Sequence, residues 1–457
     1  MDVKGKSILI IGNARSGIAA AKLALNQGAQ VWIYDGKAYE KWNEEIQKHI
    51  QEMKKQGIGF ILGEEPELEN IDLVIMSPGV PLDIPCVKKA KTKGIEVIGE
   101  LEFASRFCKA PIVAITGTNG KTTTTTLVGE IMKSYNPQTF VVGNIGRAFS
   151  EDVLTIPTDG IVVAEVSSFQ LETAPTFHPV VSAILNITPD HLNRHHTMEN
   201  YCACKYQILA NQNTSDFCVL NSQDTYFKEA KEKAKGQVIT FSLKEENLSS
   251  VFLQDGKLIE NILGEKNSIC EVNELKIKGT HNIENAAAAI AICRAFGVPI
   301  SCIREALLAF KGVEHRTEYV TTKKGIDFFN DSKATNTDAA IAGLMGLSVL
   351  GKPIRLIAGG MDKEISFRPW TKLFKGRVAK VYIIGETKEQ LMKECEEEGY
   401  YNYQGFITFE EAIHAAYRES QSGECVLLSP ACASWDMFES YEQRGELFKE
   451  IVNHLEG

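Results

Sequence analysis

The sequence predicts an α/β protein of three domains, and three observations predict it. Short, β-branched apolar runs recur along the chain, each followed by a helix-length stretch, the pattern of strands joined by helical crossovers. These runs end repeatedly in glycine-rich or polar turns, which is where open α/β sheets bind ligands. At 457 residues the chain is too long for a single core.

The first domain is assigned to residues 1–99. Ser7 to Ile11 reads as a strand, Gly17 to Asn26 as an amphipathic helix, and Val31 to Tyr34 as the next strand, ending at Asp35. The turn between the first strand and helix is Gly12-Asn13-Ala14-Arg15-Ser16-Gly17. It resembles the dinucleotide fingerprint G-x-G-x-x-G except that Ala14 replaces the middle glycine, and Asp35 lies where a ribose-binding acid would be. A second strand end carries Ser77-Pro78-Gly79. A Rossmann-like domain holding a nucleotide or pyrophosphate is expected; a purely structural strand-to-helix turn is the alternative.

The central domain, 100–312, is organised around Ile112 to Thr124. Ile112 to Ile115 is a buried parallel strand by composition. Gly117-Thr118-Asn119-Gly120-Lys121-Thr122-Thr123 then reads as a phosphate loop: glycines for close approach, a helix N-terminus for an anion, Lys121 for charge and Thr122 for Mg²⁺. The spacing is G-x-x-G-K-T, shorter than the common G-x-x-x-x-G-K-[ST], so the domain is P-loop ATPase-like with a distinct loop. Gly143-Asn144-Ile145-Gly146 is a further turn, and Glu165 ends the strand Ile161 to Ala164, well placed to hold Mg²⁺. Ser167 caps a helix, Val181 to Asn186 is a strand, and Asp190-His191 follows it. Lys205, on a helix from Tyr201 to Ala210, reads by itself as a solvated lysine. Cys202 and Cys204 near His191, His195 and His196 match zinc spacing poorly. Residues 241 to 277 suggest a small side sheet, and Asn282 and Asn285 share one face of a following helix, where simple capping would also place them.

The third domain, 313–457, follows a hinge at Glu314-His315-Arg316. Strands over 327–330, 354–358, 381–384 and 426–428 end in Asp331-Ser332-Lys333, Gly359-Gly360, Gly385 and Ser429-Pro430. This is a second Rossmann-like, doubly wound parallel sheet with its binding edge on one side.

Composition narrows the class. The formal charge of -10 argues against a nucleic-acid binder. No uncharged apolar run reaches the ~18 residues needed to span a bilayer, and no signal peptide is evident, so a cytoplasmic protein without membrane insertion is expected. Eleven scattered cysteines fit reduced thiols better than a disulfide framework.

The motifs T-G-T-N-G-K-T-T (116–123), E-V-S-S-F-Q-L-E (165–172), H-N-I-E-N (281–285), H-R (315–316), N-D-S-K-A-T-N (330–336) and S-P-A-C-A-S-W-D-M-F (429–438) together resemble the Mur ligases, ATP-dependent amide-forming enzymes of peptidoglycan precursor synthesis. The last two motifs, with Tyr441-Glu442-Gln443-Arg444-Gly445 behind them, are most similar to the branch that adds D-glutamate to UDP-N-acetylmuramoyl-L-alanine. The resemblance implies ATP at Gly117 to Thr123, Asn282, Asn285, Arg316, Asp331 and Lys333. It implies two Mg²⁺ sites using Thr122, Glu165, His191 and a CO₂-derived carbamate on Lys205. It places the UDP substrate at Arg15, Ser16, Asp35, Ser77, Pro78, Gly79 and Asn144, and D-glutamate at Thr335, Lys363, Ser434, Trp435 and Tyr441. Lys121, Lys205, His191 and Asn144 would be catalytic, in a monomer. The alternatives are another Mur-type or folylpolyglutamate-type ligase, a dinucleotide-dependent oxidoreductase, and a nucleotide-regulated binding protein.

Overall fold

The computed structural model describes the chain except for residues 245–249, 263, 278, 349, 362–365 and 457. It divides into two compact units, Met1–Glu274 with Glu284–Leu308, and Leu275–Ile283 with Ala309–Gly457. No helix among the described residues is long and apolar enough to cross a membrane.

The first unit holds two sheets. Strands β1 (Ser7–Ile11), β2 (Gln30–Asp35), β3 (Gly59–Leu62), β4 (Leu73–Met76) and β5 (Glu96–Gly99) form a parallel sheet of order β3-β2-β1-β4-β5. The order reverses between β1 and β4, which opens a crevice at their carboxyl ends. The first helix, Arg15–Asn26, begins two residues earlier than the periodicity predicts.

The second sheet has nine strands: β6 (Ile112–Thr116), β7 (Thr139–Gly143), β8 (Ile161–Glu165), β9 (Val181–Ile184), β10 (Phe217–Asn221), β11 (Gln237–Phe241), β12 (Val251–Gln254), β13 (Lys257–Glu260) and β14 (Asn267–Glu271). Their order is β14-β13-β12-β11-β10-β9-β6-β8-β7. The expected side sheet is therefore not separate. Its strands continue the main sheet through the single pair Phe241↔Val251 and only then turn antiparallel. Asp255 and Gly256, both at positive φ, make the two-residue turn of the β12–β13 hairpin.

The two sheets share one core. It runs from Val3 and Ile8 through Leu101 and Phe103 to Ala114, Val162 and Leu209. The short helix Glu100–Ser105 joins them and buries two acids. Glu100 accepts from the Ser150 amide at 2.7 Å, and Glu102 accepts from the Thr176 amide and pairs with Arg106 at 2.8 Å. Buried carboxylates persist only where such partners replace water.

The second unit holds one sheet of β15 (Glu318–Lys323), β16 (Ile326–Asn330), β17 (Ile354–Gly359), β18 (Val378–Ile384), β19 (Tyr403–Gly405) and β20 (Cys425–Leu428), in the order β15-β16-β20-β17-β18-β19. It is parallel apart from β15, which pairs antiparallel with β16 through a hairpin at Lys324-Gly325, an edge that the sequence reading missed. Side chains alternate between two apolar layers, Phe329 and Ile383 on one face, Phe328 and Ile384 on the other. Both faces are covered, as a doubly wound sheet requires.

Candidate active site

The glycine loop expected to hold phosphate leaves β6 at Thr116 and enters the helix Lys121–Tyr135. Gly120 is the helix N-cap at φ +81°, and a Cβ there would sit 2.3 Å from Asn285 Oδ1. Only glycine fits both the left-handed conformation and the close approach. Asn285 is one of the two asparagines singled out in the sequence; it accepts from Thr124 Oγ1 at 3.2 Å, which ties the loop's helix to the helix Thr280–Phe296. Lys121 Nζ donates to the carbonyls of Gly117 and Thr118, both at 2.8 Å. Asn186, just beyond β9, grips the loop from outside: its Oδ1 accepts from the Asn119 amide and its Nδ2 donates to the Asn119 carbonyl.

Around this loop the sheet gathers the other central-domain residues. Glu165, at the end of β8, is 1% exposed. Its Oε1 accepts from Asn144 Nδ2 at 2.8 Å, whereas Oε2 is buried without a hydrogen-bond partner. Asn144 is further fixed by its amide, which donates to the Glu165 carbonyl at 2.9 Å. Lys205 is not the solvated lysine that its local sequence suggests. It is 1% exposed, its Nζ lies 4.6 Å above the Tyr201 ring, and it donates to the Gly117 carbonyl at 2.9 Å. Burial, and then the charge of Lys121, hold its amine well below the usual lysine range. Two lysines thus converge on one carbonyl oxygen, and burial disfavours the charged form of the enclosed one. His191 adopts a left-handed conformation at φ 52°, partly exposed, with its ring 4.9 Å from that of Phe169. Thr122 is buried in the first turn of the loop's helix.

Tyr201 was not anticipated. Its hydroxyl is within 3.1 Å of Thr118 Oγ1, and its ring underlies Lys205. The four-residue spacing of Tyr201 and Lys205 on one helix was the available signal.

At the crevice of the first sheet, Asp35 accepts from the amides of Asn13 and Lys37, at 3.0 and 2.9 Å. Ser77 donates to the Gly12 carbonyl, and Gly17 packs so closely on Gly12 that a Cβ would lie 2.0 Å from the Gly12 oxygen. Arg15 is exposed and donates to the Gly146 carbonyl at 2.6 Å. Ser16 is the second residue of the helix Arg15–Asn26, and Pro78 and Gly79 follow Ser77 in the turn after β4. The crevice and the Gly143–Gly146 turn are thus linked directly.

In the second unit the ends of β16, β17 and β20 carry the polar loops. Asp331 is 4% exposed, accepting from Ser429 Oγ at 2.8 Å and from the Thr317 amide at 3.0 Å. Burial pushes its carboxyl up to about 7, against the pull of those bonds and of Arg316. Lys333 Nζ lies 5.6 Å from the Tyr441 ring, and Ser434 is buried while Trp435 is exposed. Thr335 is half-buried in the loop after Asp331. Asn282 lies in the first turn of the helix Thr280–Phe296. Lys363 lies outside the described residues.

The residue that organises these loops is Arg444, which the motif Tyr441-Glu442-Gln443-Arg444-Gly445 contains but to which the sequence reading assigned no role. Fully buried, it donates to Ser332 Oγ and to the carbonyls of Ser332, Cys432 and Ala433, at 3.0, 2.9, 3.1 and 3.3 Å. One planar fork thereby locks two loops together.

The Mur ligase MurD-like N-terminal domain matches residues 6–99, the Mur ligase middle domain 115–293, and the Mur ligase glutamate ligase domain 315–432. The chain belongs to the Mur ligase family. Among Mur ligases it is 45% identical over its whole length to a UDP-N-acetylmuramoylalanine--D-glutamate ligase of Lachnospira eligens, all of which it covers. It is 46% identical to the protein of that name from Caldicellulosiruptor bescii, again over the whole chain and 99% of the relative. Its fold is similar to that of a Thermotoga maritima MurF ligase solved with ADP, TM-score 0.57 at 16% identity over 99% of this chain and 96% of the other. A UDP-N-acetylmuramate-alanine ligase of the same organism aligns at TM-score 0.56 and 20% identity over 98% of this chain and 99% of that one.

Proposed function

We propose that the chain is an ATP-dependent ligase that joins D-glutamate to UDP-N-acetylmuramoyl-L-alanine in peptidoglycan precursor synthesis. Full-length relatives at about 45% identity carry that name and support the substrate pair. The observation that carries the reaction class is the gathering, at the carboxyl ends of β6, β8 and β9, of a phosphate loop, a buried carboxylate with an unpartnered oxygen and a buried lysine.

A carboxylate does not acylate an amine in water at a useful rate, so it must first be activated. The L-alanyl carboxylate attacks the γ-phosphorus of ATP, ADP leaves, and an acyl phosphate forms. The D-glutamate amine then attacks the acyl carbon, and phosphate leaves as the amide closes. Positioning and charge neutralisation carry such transfers. Lys121, Gly117, Thr118, Asn119, Gly120, Thr122 and Thr123 would cradle the phosphates, with Asn144 beside the group being transferred.

The residues fit magnesium. Glu165 Oε2 is a buried carboxyl oxygen with no hydrogen-bond partner, the condition of a ligand reserved for a cation. Thr122 and Glu165 would hold one ion, His191 and Lys205 a second; when bound, Mg²⁺ offsets charge on the γ-phosphoryl group. An uncharged Lys205 amine can add to CO₂, forming a C–N bond and losing a proton, which converts it into a carboxylate-like ligand. Residues 1–99 would bind the UDP moiety through Arg15, Ser16, Asp35 and Ser77 to Gly79. Residues 100–312 would bind ATP. Residues 313–457 would take D-glutamate through Thr335, Lys363, Ser434, Trp435 and Tyr441. Asn282, Asn285, Arg316, Asp331 and Lys333 are assigned to the nucleotide, in a cytoplasmic monomer.

The test is ADP release with UDP-N-acetylmuramoyl-L-alanine and a panel of amino acids. Turnover with D-glutamate alone is expected. Turnover only with L-lysine or meso-diaminopimelate, or with L-glutamate and a folate, would redirect the assignment.

A further inference from the structure

The Cys-x-Cys stretch at 202–204 plays no part in the proposed reaction, and the structure separates its two thiols. At 100° per residue, the helix Met198–Tyr206 points Cys202 and Cys204 about 200° apart, so they cannot ligate one ion together. Cys202 is buried. Cys204 is half-buried and meets two residues from other elements: Glu172, which ends the helix Ser168–Leu171, and His195, the last residue of the helix Leu192–His195. One ligand atom from each of Glu172, His195 and Cys204 lies within 4.8 Å of the other two.

A tetrahedral zinc ion with bonds of about 2.0–2.3 Å spaces its ligand atoms about 3.4–3.6 Å apart. Glu172 Oε1 and His195 Nδ1, 3.2 Å apart, are already close to that spacing. The Cys204 thiol lies within 4.8 Å of a ligand atom on each of the other two residues, and a side-chain torsion can close the remaining gap. The imidazole is held ready. Its Nε2 hydrogen-bonds Ser168 Oγ at 3.0 Å, and the rings of Phe169 and Tyr201 flank it at 5.4 and 5.1 Å. This leaves Nδ1 facing the acid, and an outer hydrogen bond on the other ring nitrogen is what a metal-bound histidine ordinarily has. Glu172 is oriented as well: its Oε2 accepts from Arg194 at 2.8 Å, which leaves Oε1 for a metal.

We infer that Glu172, His195 and Cys204 form a site for one divalent transition-metal ion of the zinc class, with water as the fourth ligand. A thiolate and an imidazole select such an ion over magnesium, which prefers oxygen donors. The site is chemically separate from the proposed magnesium ligands, although Cys204 precedes Lys205 and His195 follows His191 by four residues.

The test uses the full chain, in excess Mg²⁺, titrated with Co²⁺. A near-ultraviolet thiolate-to-cobalt band and intense tetrahedral visible bands should saturate at one equivalent and be bleached by Zn²⁺. C204A should lose the thiolate band and C202A should keep it, each with the far-ultraviolet circular dichroism of the parent. S168A should bind about 10–100-fold more weakly. Alkylation of Cys204 by iodoacetamide, mapped by mass spectrometry on the unmutated chain, should be slowed by Zn²⁺ and not by Mg²⁺; this measurement decides if C204A fails to fold. A chain that gives no thiolate band, a band that survives in C204A, or a Cys204 alkylation rate indifferent to Zn²⁺ would each overturn the assignment.

Discussion

Replacing Asp331 by Asn should remove a pH dependence from the stability of the second unit. The carboxyl is 4% exposed, and burial pushes it up to about 7 although Ser429, Thr317 and Arg316 all favour its charged form. In the unfolded chain an aspartate titrates near ~3.9. Between about pH 4 and pH 7 the folded protein therefore holds a proton that the unfolded chain has released. The group favours the fold at low pH, and that contribution disappears as pH rises through this window. A gap of about three units is worth roughly 4 kcal/mol in all, of which about 2–3 kcal/mol falls between about pH 5 and about pH 8. Asparagine keeps an acceptor for the Thr317 amide and cannot ionise. The assay is urea unfolding at those two pH values, followed by tryptophan fluorescence. A Trp32→Phe, Trp42→Phe background leaves Trp370 and Trp435, which both lie in the second unit. The unmutated protein should lose about 2–3 kcal/mol more than Asp331→Asn on going from the lower pH to the higher. If the two stabilities change in parallel, the carboxyl is not held protonated by the fold and the reasoning fails.

Lys121→Ala should abolish ADP release while the far-ultraviolet circular dichroism stays that of the parent, because it removes the positive charge that the loop holds beside the Gly117 and Thr118 carbonyls; retained turnover would contradict the phosphate-loop role. Lys205 should give a carbamate carbon signal by NMR in ¹³C-bicarbonate, absent from Lys205→Arg, since a guanidinium stays protonated; no signal in active enzyme would remove the proposed ligand. Arg444→Lys should cost on the order of 3 kcal/mol in the tryptophan assay, because a point-charge ammonium cannot reach Ser332, Cys432 and Ala433 at once. An unchanged midpoint would show that the fork does not hold the two loops.

Much of the fold was legible because it depends on local patterns. Ile112 to Ile115 is apolar and β-branched apart from Ala114, and it lies in the fully buried strand Ile112–Thr116. Ser167 is followed three residues on by Gln170 and formed a reciprocal capping box. The Gln254–Gly256 turn reversed the chain where its residues demand. Strand partners were less legible: whether β12 to β14 make their own sheet depends on whether the edge of β11 is free, which no local pattern records. Strand β15 escaped notice because its half-buried residues lack a clean alternation.

The candidate site divides in the same way. The proposed phosphate loop was legible in the sequence, since two glycines, a lysine and a threonine at a strand-to-helix junction fall within seven residues, and the glycines do take positive φ. The sequence also determined that Glu165 and Asp331 end strands. Their environments came from packing between distant parts of the chain. Lys205 reads as a surface lysine until Tyr201 and Gly117 enclose it, and Arg444 reads as one more helix charge until Ser332 and Cys432 close over it. Cys204 is one of eleven cysteines until Glu172 and His195 arrive from separate elements. Ionisation and ligand strength are set by what surrounds a group within a few ångströms. Those neighbours come from distant parts of the chain, so folding, and not the local sequence, fixes them.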